Sequence, residues 1–226
     1  MEVNGIIIQW IYLGISVRGD NMKYYSYVIP RDYGFAPNPY FGYCTLATCK
    51  PRIRKGAQKG DWIAAYGAAN TEFYEKLVVL MKVEETLTFD GYWNDPRFKN
   101  KRPVFNRGIS YMYGDNIYHR VDGNWMQEPS HHSMMDGSIN IANLERDTKT
   151  DIVLLSTEFY YFGNNAIQIP KKFDGLIGRG RNHRVSYDNN IIVKFINFVS
   201  KNYDMGINGI PYSRKGGVFA HYKGER

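Results

Sequence analysis

The sequence predicts one α+β domain with a small, strongly bent antiparallel sheet or β-barrel, a few helices and long loops. Three observations carry this prediction. Short β-branched and aromatic runs recur along the chain, only residues 189–202 show a long helical pattern, and connections rich in Gly, Pro and Asn separate the runs. A chain of 226 residues can bury its own core without disulfides, and no internal repeat or linker divides it.

The strand predictions rest on alternation and β-branching. Residues 23–30, KYYSYVIP, alternate well enough for a strand. Residues 61–66 and 76–84 are expected to form an antiparallel hairpin with a long loop. Two further segments leave alternatives open. Residues 43–49 fit a short helical turn or a strand, and residues 152–162 fit a strand pair or one long strand.

Two segments predict helices. Residues 88–98 fit one helical turn that Thr88 opens and that ends at Asp95, before a proline. Residues 189–202 fit a longer amphipathic helix with Asp188 as its cap. The apolar face of this second helix is predicted to contain Ile191, Phe195, Phe198 and Val199.

The charge of the chain favours an anionic partner. Its net charge is +7 and its pI is about 9.2, as expected of a protein that binds a nucleotide or nucleic acid. The apolar run at residues 6–17 is too short to span a membrane, and no cationic leader of a signal peptide precedes it. We therefore predict an accessory or misannotated extension at residues 1–21, a domain at residues 22–226, and a cytoplasmic location with reduced cysteines.

Residues 31–67 combine the densest basic run of the chain with many aromatic and proline residues. Lysine and arginine neutralise phosphates, and aromatic rings stack on bases, so this segment predicts a nucleotide-binding surface. The alternative is a Pro- and Gly-rich connection whose aromatic residues anchor it to the core. The candidate nucleotide-binding residues, here and elsewhere in the chain, are Arg31, Asp32, Tyr33, Asn38, Cys44, Thr45, Lys50, Arg52, Arg54, Trp62, Asn116 and Arg179.

Histidines and carboxylates form a second candidate site within residues 99–150, a segment with little periodicity. Histidine beside a carboxylate is suited to acid–base chemistry, with Cys44 or Cys49 as a possible nucleophile. An ordinary structural loop is the alternative. The spacing matches no zinc motif, so we predict no metal site. The candidate catalytic residues are His119, His131, His132, Asp115 and Asp136.

Several familiar signatures are missing from the sequence. It has no nucleoside triphosphate P-loop, no complete dinucleotide fingerprint and no G-x-S-x-G elbow. It also lacks the H-x-E and P-C-x-x-C pair of the zinc deaminases. These absences disfavour kinases, dehydrogenases, hydrolases and deaminases of those types, and no motif identifies a cofactor.

Long motifs carry a family resemblance. The segments are RDYGFAPNPYFGYCTLATCKPRIRKGAQKGDWIAAYG, FDGYWNDPRF, YGDNIYHR, SHHS, DGSINIANLERDT and FYYFGNNA. Over about residues 22–184 they resemble the nucleotide modification associated domain 2 family. The resemblance implies a bacterial or phage protein of a system that makes or handles modified nucleotides in DNA, and it supplies no established catalytic residues. The segment KGDWI also resembles a turn of the PUA-like β-barrels, including the ASCH and EVE groups, which bind RNA or modified bases.

These observations favour two functions over a third, a structural or partner-binding subunit of a phage or defence operon. One is a module that binds a nucleotide, a modified base or nucleic acid, including modified DNA. The other is an enzyme that modifies or processes a nucleobase or nucleotide by His/Asp acid–base chemistry.

Overall fold

The computed structural model describes residues 22–180, 182–214 and 219–222, so the predicted extension at residues 1–21 lies outside the described residues. The strands are β1 (Tyr24–Ile29), β2 (Cys44–Leu46), β3 (Trp62–Gly67), β4 (Leu77–Lys82), β5 (Glu85–Leu87), β6 (Tyr118–Val121), β7 (Asn124–Gln127), β8 (Val153–Ser156), β9 (Phe159–Tyr161), β10 (Arg184–Ser186) and β11 (Gly206–Ile207). The α-helices are α1 (Pro51–Gly56), α2 (Phe89–Asn94), α3 (Ile109–Met112), α4 (Ile141–Asp147) and α5 (Asn189–Asn202). Short 3₁₀ helices span Pro96–Lys101, Gly163–Asn165 and Lys171–Leu176.

Three sheets organise these strands. The largest has the order β10-β1-β3-β4-β9-β11, a second has the order β2-β8-β5, and β6 pairs with β7 alone. The predicted hairpin is confirmed, because β3 and β4 pair antiparallel. The segment 152–162 is a strand pair rather than one long strand, and it links two sheets because β8 and β9 belong to different ones.

The largest sheet departs from the predicted antiparallel sheet at two places. β1 runs parallel to β3, with Tyr24 opposite Trp62, and β9 runs parallel to β11. Parallel neighbours need a crossover that returns the chain to the same end of the sheet. The connection between β1 and β3 provides it, since it contains β2 and α1.

The largest sheet is covered on both faces. On one face, Tyr25 and Tyr27 of β1 pack with Leu46 of β2 and Ile53 of α1. On the other face, alternate residues such as Tyr24 pack against α5 and the 3₁₀ helix at residues 171–176. Side chains alternate across a strand, so a sheet covered on both sides reads as a nearly continuous apolar run. The crossover segment therefore lies on the face opposite α5.

The two predicted helices are confirmed. Thr88 caps α2 by accepting a hydrogen bond from the Gly91 N–H at 3.0 Å. Asp188 caps α5 in the same way through the N–H groups of the first turn. The buried face of α5 consists of Ile192, Phe195 and Val199, whereas the predicted Ile191 and Phe198 pack at its border.

The α+β class is confirmed, with several sheets and few helices. Across the described ranges the strand pairing closes no barrel, and the largest sheet ends on the short strands β10 and β11. No helix in this part of the chain is long and apolar enough to cross a membrane.

Candidate active site

Cys49 lies on a sharp turn between β2 and α1. Cys49 and Lys50 have φ angles of 56° and 41°, a left-handed conformation that is uncommon for residues other than glycine. The surrounding structure holds this conformation at two points. The Cys49 N–H donates to Asp147 Oδ1 at 2.9 Å, and Arg54 Nε donates to the Cys49 carbonyl at 2.9 Å. Backbone strain that is held by tertiary contacts is typical of functional sites, and a strained strand-to-helix turn is the way α/β-hydrolases expose a nucleophile.

Three side chains form a hydrogen-bonded chain at this turn. Cys49 Sγ lies 3.8 Å from His132 Nε2, and His132 Nδ1 lies 2.8 Å from Asp147 Oδ2. Cys49 is partly exposed, whereas His132 and Asp147 are buried. We call these three residues the Cys49 triad. A nucleophile, a base and a group that orients the base stand in this relation in cysteine- and serine-dependent enzymes.

The electrostatics of the triad favour its charged forms. Burial alone raises the pKa of the Cys49 thiol, but the charge and hydrogen bond of His132 outweigh burial, and the net effect lowers this pKa. Burial lowers the pKa of His132, but Asp147 and Cys49 raise it above its ordinary value. Burial likewise opposes ionisation of Asp147, yet His132 and Arg146 hold its pKa well below the usual range. These directions favour a thiolate–imidazolium pair supported by a carboxylate.

Both oxygens of the Asp147 carboxylate are hydrogen-bonded to protein groups. Its oxygens accept hydrogen bonds from Tyr118 Oη at 3.0 Å and Arg146 Nε at 3.0 Å, in addition to those from the Cys49 N–H and His132. This network fixes the orientation of the imidazole ring. It also places a permanent positive charge, Arg146, beside the triad.

The donor atoms of the triad could also hold a metal ion, because one atom from each residue lies within 4.8 Å of the others. A sulfur, a nitrogen and an oxygen are a possible zinc ligand set. Two observations favour the nucleophilic role instead. The Asp147 carboxylate already takes part in four hydrogen bonds, and it contacts Nδ1 of the imidazole, whereas Cys49 contacts Nε2. The positive charge of the Arg146 guanidinium would also repel a cation.

His131 and His119 lie in other surroundings. His131 Nδ1 is hydrogen-bonded to the Ala220 carbonyl, and burial, together with the charge of His132, lowers its pKa to about 3. Its ring is enclosed by aromatic side chains, so it stays neutral. His119 Nε2 contacts Glu128 Oε1 at 2.7 Å, and its ring stacks on Trp93 with 4.1 Å between centroids.

Asp115 is part of a closed buried network, which we call the Lys101–Asp115 network. It contains Lys101, Asp115, Asn38, Thr45 and Tyr92. Asp115 accepts hydrogen bonds from Thr45 Oγ1 at 2.6 Å and Tyr92 Oη at 2.8 Å. Lys101 Nζ donates to Asn38 Oδ1 at 2.8 Å and to Thr45 Oγ1 at 3.0 Å. Asp136, by contrast, is exposed and accepts hydrogen bonds from Ser138 in its own turn.

Most of the candidate nucleotide-binding residues are buried. Arg54 is completely buried, and its guanidinium donates to the backbone carbonyls of Cys49, Asp147, Thr150 and Ile152. Arg54 therefore connects the backbone at Cys49 with the backbone at Asp147. The other buried candidates are Asp32, Asn38, Cys44, Thr45, Trp62 and Asn116.

The remaining candidates are accessible. Arg31, Arg52 and Arg179 are exposed, and Tyr33 and Lys50 are half-buried. Arg179 forms ion pairs with Glu75 and Asp174. Lys50 Nζ lies 3.4 Å from the Val28 carbonyl and 4.5 Å from the centre of the Tyr27 ring.

Comparison with known proteins identifies the family. The family model described as nucleotide modification associated domain 2 matches residues 21–217. The chain belongs to this family. The predicted resemblance is thereby confirmed, and membership associates the protein with nucleotide modification. No curated protein and no solved structure shows a significant match.

Sequence reasoning missed Asp147 and Arg146 in this member of the nucleotide modification associated domain 2 family. Asp147 is 98 residues from Cys49 and 15 from His132 along the chain, so no local spacing connects them. The one signal that pointed to them was their place in the motif DGSINIANLERDT, the last part of which is α4.

Proposed function

We propose that this protein is an enzyme that uses Cys49 as a nucleophile on a nucleotide, a modified base or nucleic acid. His132 serves as general acid and base, and Asp147 orients it. The observation that carries the proposal is the hydrogen-bonded Cys49 triad at a strained strand-to-helix turn. Family membership associates the protein with nucleotide modification and so supports a nucleotide, a modified base or nucleic acid as the substrate class.

The chemistry that suits this triad is transfer or hydrolysis at a trigonal carbon of acyl or amidine type. The thiolate adds to that carbon, a C–S bond forms, and an electron pair moves onto the attached oxygen or nitrogen. When this adduct collapses, the leaving group departs with the proton of His132 Nε2. Water or an amine then attacks the thioester-like intermediate, gives its proton to His132 and releases the thiolate.

The groups that stabilise the negative charge of the adduct differ from the common arrangement. The Cys49 N–H is bonded to Asp147 and cannot also donate to a substrate oxygen. Three buried hydroxyl groups have no hydrogen-bond partner within the described residues, and two of them belong to Thr48 and Tyr27. Thr48 precedes Cys49, and charge at Cys49 contributes, after burial and Cys44, to raising the pKa of Tyr27. An unpaired buried hydroxyl is costly, and a substrate oxygen would satisfy it.

Trapping of the covalent intermediate tests this function. The full chain is incubated with unmodified and modified deoxynucleotides and DNA, quenched in acid and analysed by peptide mass spectrometry. We expect an adduct on the peptide that contains Cys49, with no adduct and no turnover in Cys49→Ser. Cys44→Ser is the matched control, because burial raises the pKa of the Cys44 thiol to about 12.

Two results would contradict the proposal. One is full turnover by Cys49→Ser. The other is salt-dependent binding of modified DNA with no turnover of any substrate in wild type, which would support a binding module with a PUA-like role instead.

A further inference from the structure

Two arginines lie near one aromatic ring beside the triad. The Cζ atom of Arg146 lies 5.4 Å from the centre of the Tyr222 ring, and the Cζ atom of Arg31 lies 6.0 Å from it. The same ring lies 5.4 Å from the His132 ring, centre to centre. Both guanidinium groups thus lie within about 6 Å of the centre of one ring that neighbours His132, although they are 115 positions apart in the sequence.

The backbone holds Tyr222 in this position. The Tyr222 N–H donates to the His131 carbonyl at 2.6 Å, and the Tyr222 carbonyl accepts from Asn143 Nδ2 at 2.9 Å. The neighbouring Ala220 N–H donates to Tyr113 Oη at 2.9 Å. The ring that both arginines approach is thus fixed to the segments that carry His132 and Arg146.

Among the described residues, Arg146 has one carboxylate partner, Asp147, and Arg31 has none. Arg31 is exposed and forms no ion pair within the described part of the chain. Arg146 uses Nε for Asp147, while its Nη2 lies 3.3 Å from His132 Nδ1, a nitrogen that Asp147 already binds. Asp147 is the carboxylate in contact with this cluster, and it is buried. Glu145, next in sequence, is exposed and joins no ion pair among the described residues.

Two other exposed arginines of the described chain are held by carboxylates. Arg179 is held by Glu75 and Asp174, and Arg97 is held by Asp95 and Glu85. A guanidinium without a carboxylate partner, beside a second one, matches the geometry in which arginine binds phosphate through two N–H groups.

We propose that Arg31 and Arg146 form a phosphate-binding subsite at the mouth of the Cys49 triad. It binds the phosphoryl group of a nucleotide, or of a nucleotide within a nucleic acid strand, and so places the rest of that nucleotide at Cys49. This inference rests on the proposed function, because it states which group of the substrate is bound, a phosphoryl group, while Cys49 reacts with another.

Alkylation of Cys49 tests the charge of the subsite without knowledge of the substrate. Iodoacetate and iodoacetamide react alike, with a C–S bond formed and iodide released, but only iodoacetate is an anion. For each protein, the rate constant of Cys49 with iodoacetate is divided by its rate constant with iodoacetamide. We expect this ratio to be at least about threefold lower in Arg31→Gln than in wild type. The ratio cancels any change in thiol reactivity. The matched control is Lys194→Gln, the same charge change on the exposed face of α5, and it should leave the ratio unchanged. Equal ratios in all three proteins would overturn the subsite.

Protection experiments identify the source of the phosphate. The four deoxynucleoside 5′-monophosphates should protect Cys49 of wild type from iodoacetamide about tenfold better than that of Arg31→Gln, whereas the deoxynucleosides should protect both equally. Inorganic phosphate and a short single-stranded oligonucleotide are tested for protection of Cys49 in the same way. Stronger protection by the oligonucleotide than by the monophosphates assigns the phosphate to a nucleic acid strand. Protection that is the same in wild type and Arg31→Gln refutes the proposal.

The failure of the triad and the failure of the subsite give different results. If Cys49 reacts no faster than a free thiol, the nucleophile is wrong. Equilibrium dialysis of a labelled monophosphate against wild type and Arg31→Gln then still decides the subsite, which requires weaker binding by the variant.

Discussion

The two buried charged clusters of this protein shift the pKa values of their groups in opposite senses, one toward the neutral forms and the other toward the charged forms. In the Lys101–Asp115 network, burial raises the pKa of Asp115 to about 6 and lowers the pKa of Lys101 to about 8, so both groups move toward their neutral forms. In the Cys49 triad, burial is outweighed, and the thiol and imidazole move toward their charged forms.

Their exposure differs as well. Every charged atom of the network is enclosed and bonded to protein, whereas Cys49 is partly exposed and His132 is the hydrogen-bond partner of its sulfur within the described residues. A buried charged pair is thus weak evidence of function by itself. A nucleophile of a partly exposed residue whose pKa is lowered by a base that a carboxylate orients is much stronger evidence.

The largest expected effect is on stability, in the network. Lys101→Met should lower the free energy of unfolding by about 3–5 kcal/mol, because it leaves the Asp115 carboxylate buried without its counter-charge. Urea denaturation measures this change. Lys99→Met, on the exposed side of the same 3₁₀ helix, is the control and should show no measurable change. Equal stability of the Lys101 variant and wild type would show that the network contributes no structural support.

The next effect is on the reactivity of the triad. His132→Ala should slow iodoacetamide alkylation of Cys49 about 100-fold at roughly pH 6, because a thiol without its imidazolium is mostly protonated there. Rate constants come from mass spectrometry of the labelled peptide. His119→Ala, which removes a histidine paired with Glu128, should leave the rate unchanged. A similar decrease of the alkylation rate in both variants would contradict the proposal that His132 activates Cys49.

A smaller effect is expected from the orienting carboxylate. Asp147 raises the pKa of His132, so Asp147→Asn lowers it, and the Cys49 thiolate loses its positive partner at a lower pH. The charge of Asp147 also raises the pKa of the Cys49 thiol directly, but the opposite effect of His132 on this pKa is larger. The rise of the alkylation rate with pH should therefore move to higher pH, with a rate about tenfold lower at roughly pH 6. A profile measured across roughly pH 5 to 10 shows this shift, and Glu145→Gln on the same helix is the control. An unshifted profile would contradict the proposed role of Asp147.

The smallest effect is expected at Asp136. Asp136→Asn should change neither the alkylation rate nor the unfolding curve, because this side chain is exposed and bonded within its own turn. The same two assays measure it. A fall in the alkylation rate would bring Asp136 back as a catalytic residue.

Local signals explain why much of the fold could be predicted. The helix at residues 189–202 was predictable because its apolar spacing and the Asp188 cap lie within one segment. The β3–β4 hairpin was predictable for the same reason. The parallel pairing of β1 with β3 was not, because it depends on the path of a connection that contains both β2 and α1.

The candidate site shows the same division. The basic, aromatic segment and the two adjacent histidines drew attention by composition, and Cys49 and His132 were among the candidates. Their partner Asp147 was not, and Asn38 and Thr45 were grouped with binding residues although they contact Lys101 inside the protein. Each of these relations joins residues more than ten positions apart.

The sequence by itself determined the α+β class, the family and the segments in which chemistry could occur, because composition, periodicity and long motifs are properties of contiguous residues. The tertiary structure decided between residues of the same type. Cys44 and Cys49 are chemically identical, but β2 buries the first against Met81, while the strained turn directs the second to His132. The pKa of a thiol depends on burial and on the charges around it, and both arise only when distant parts of the chain come together.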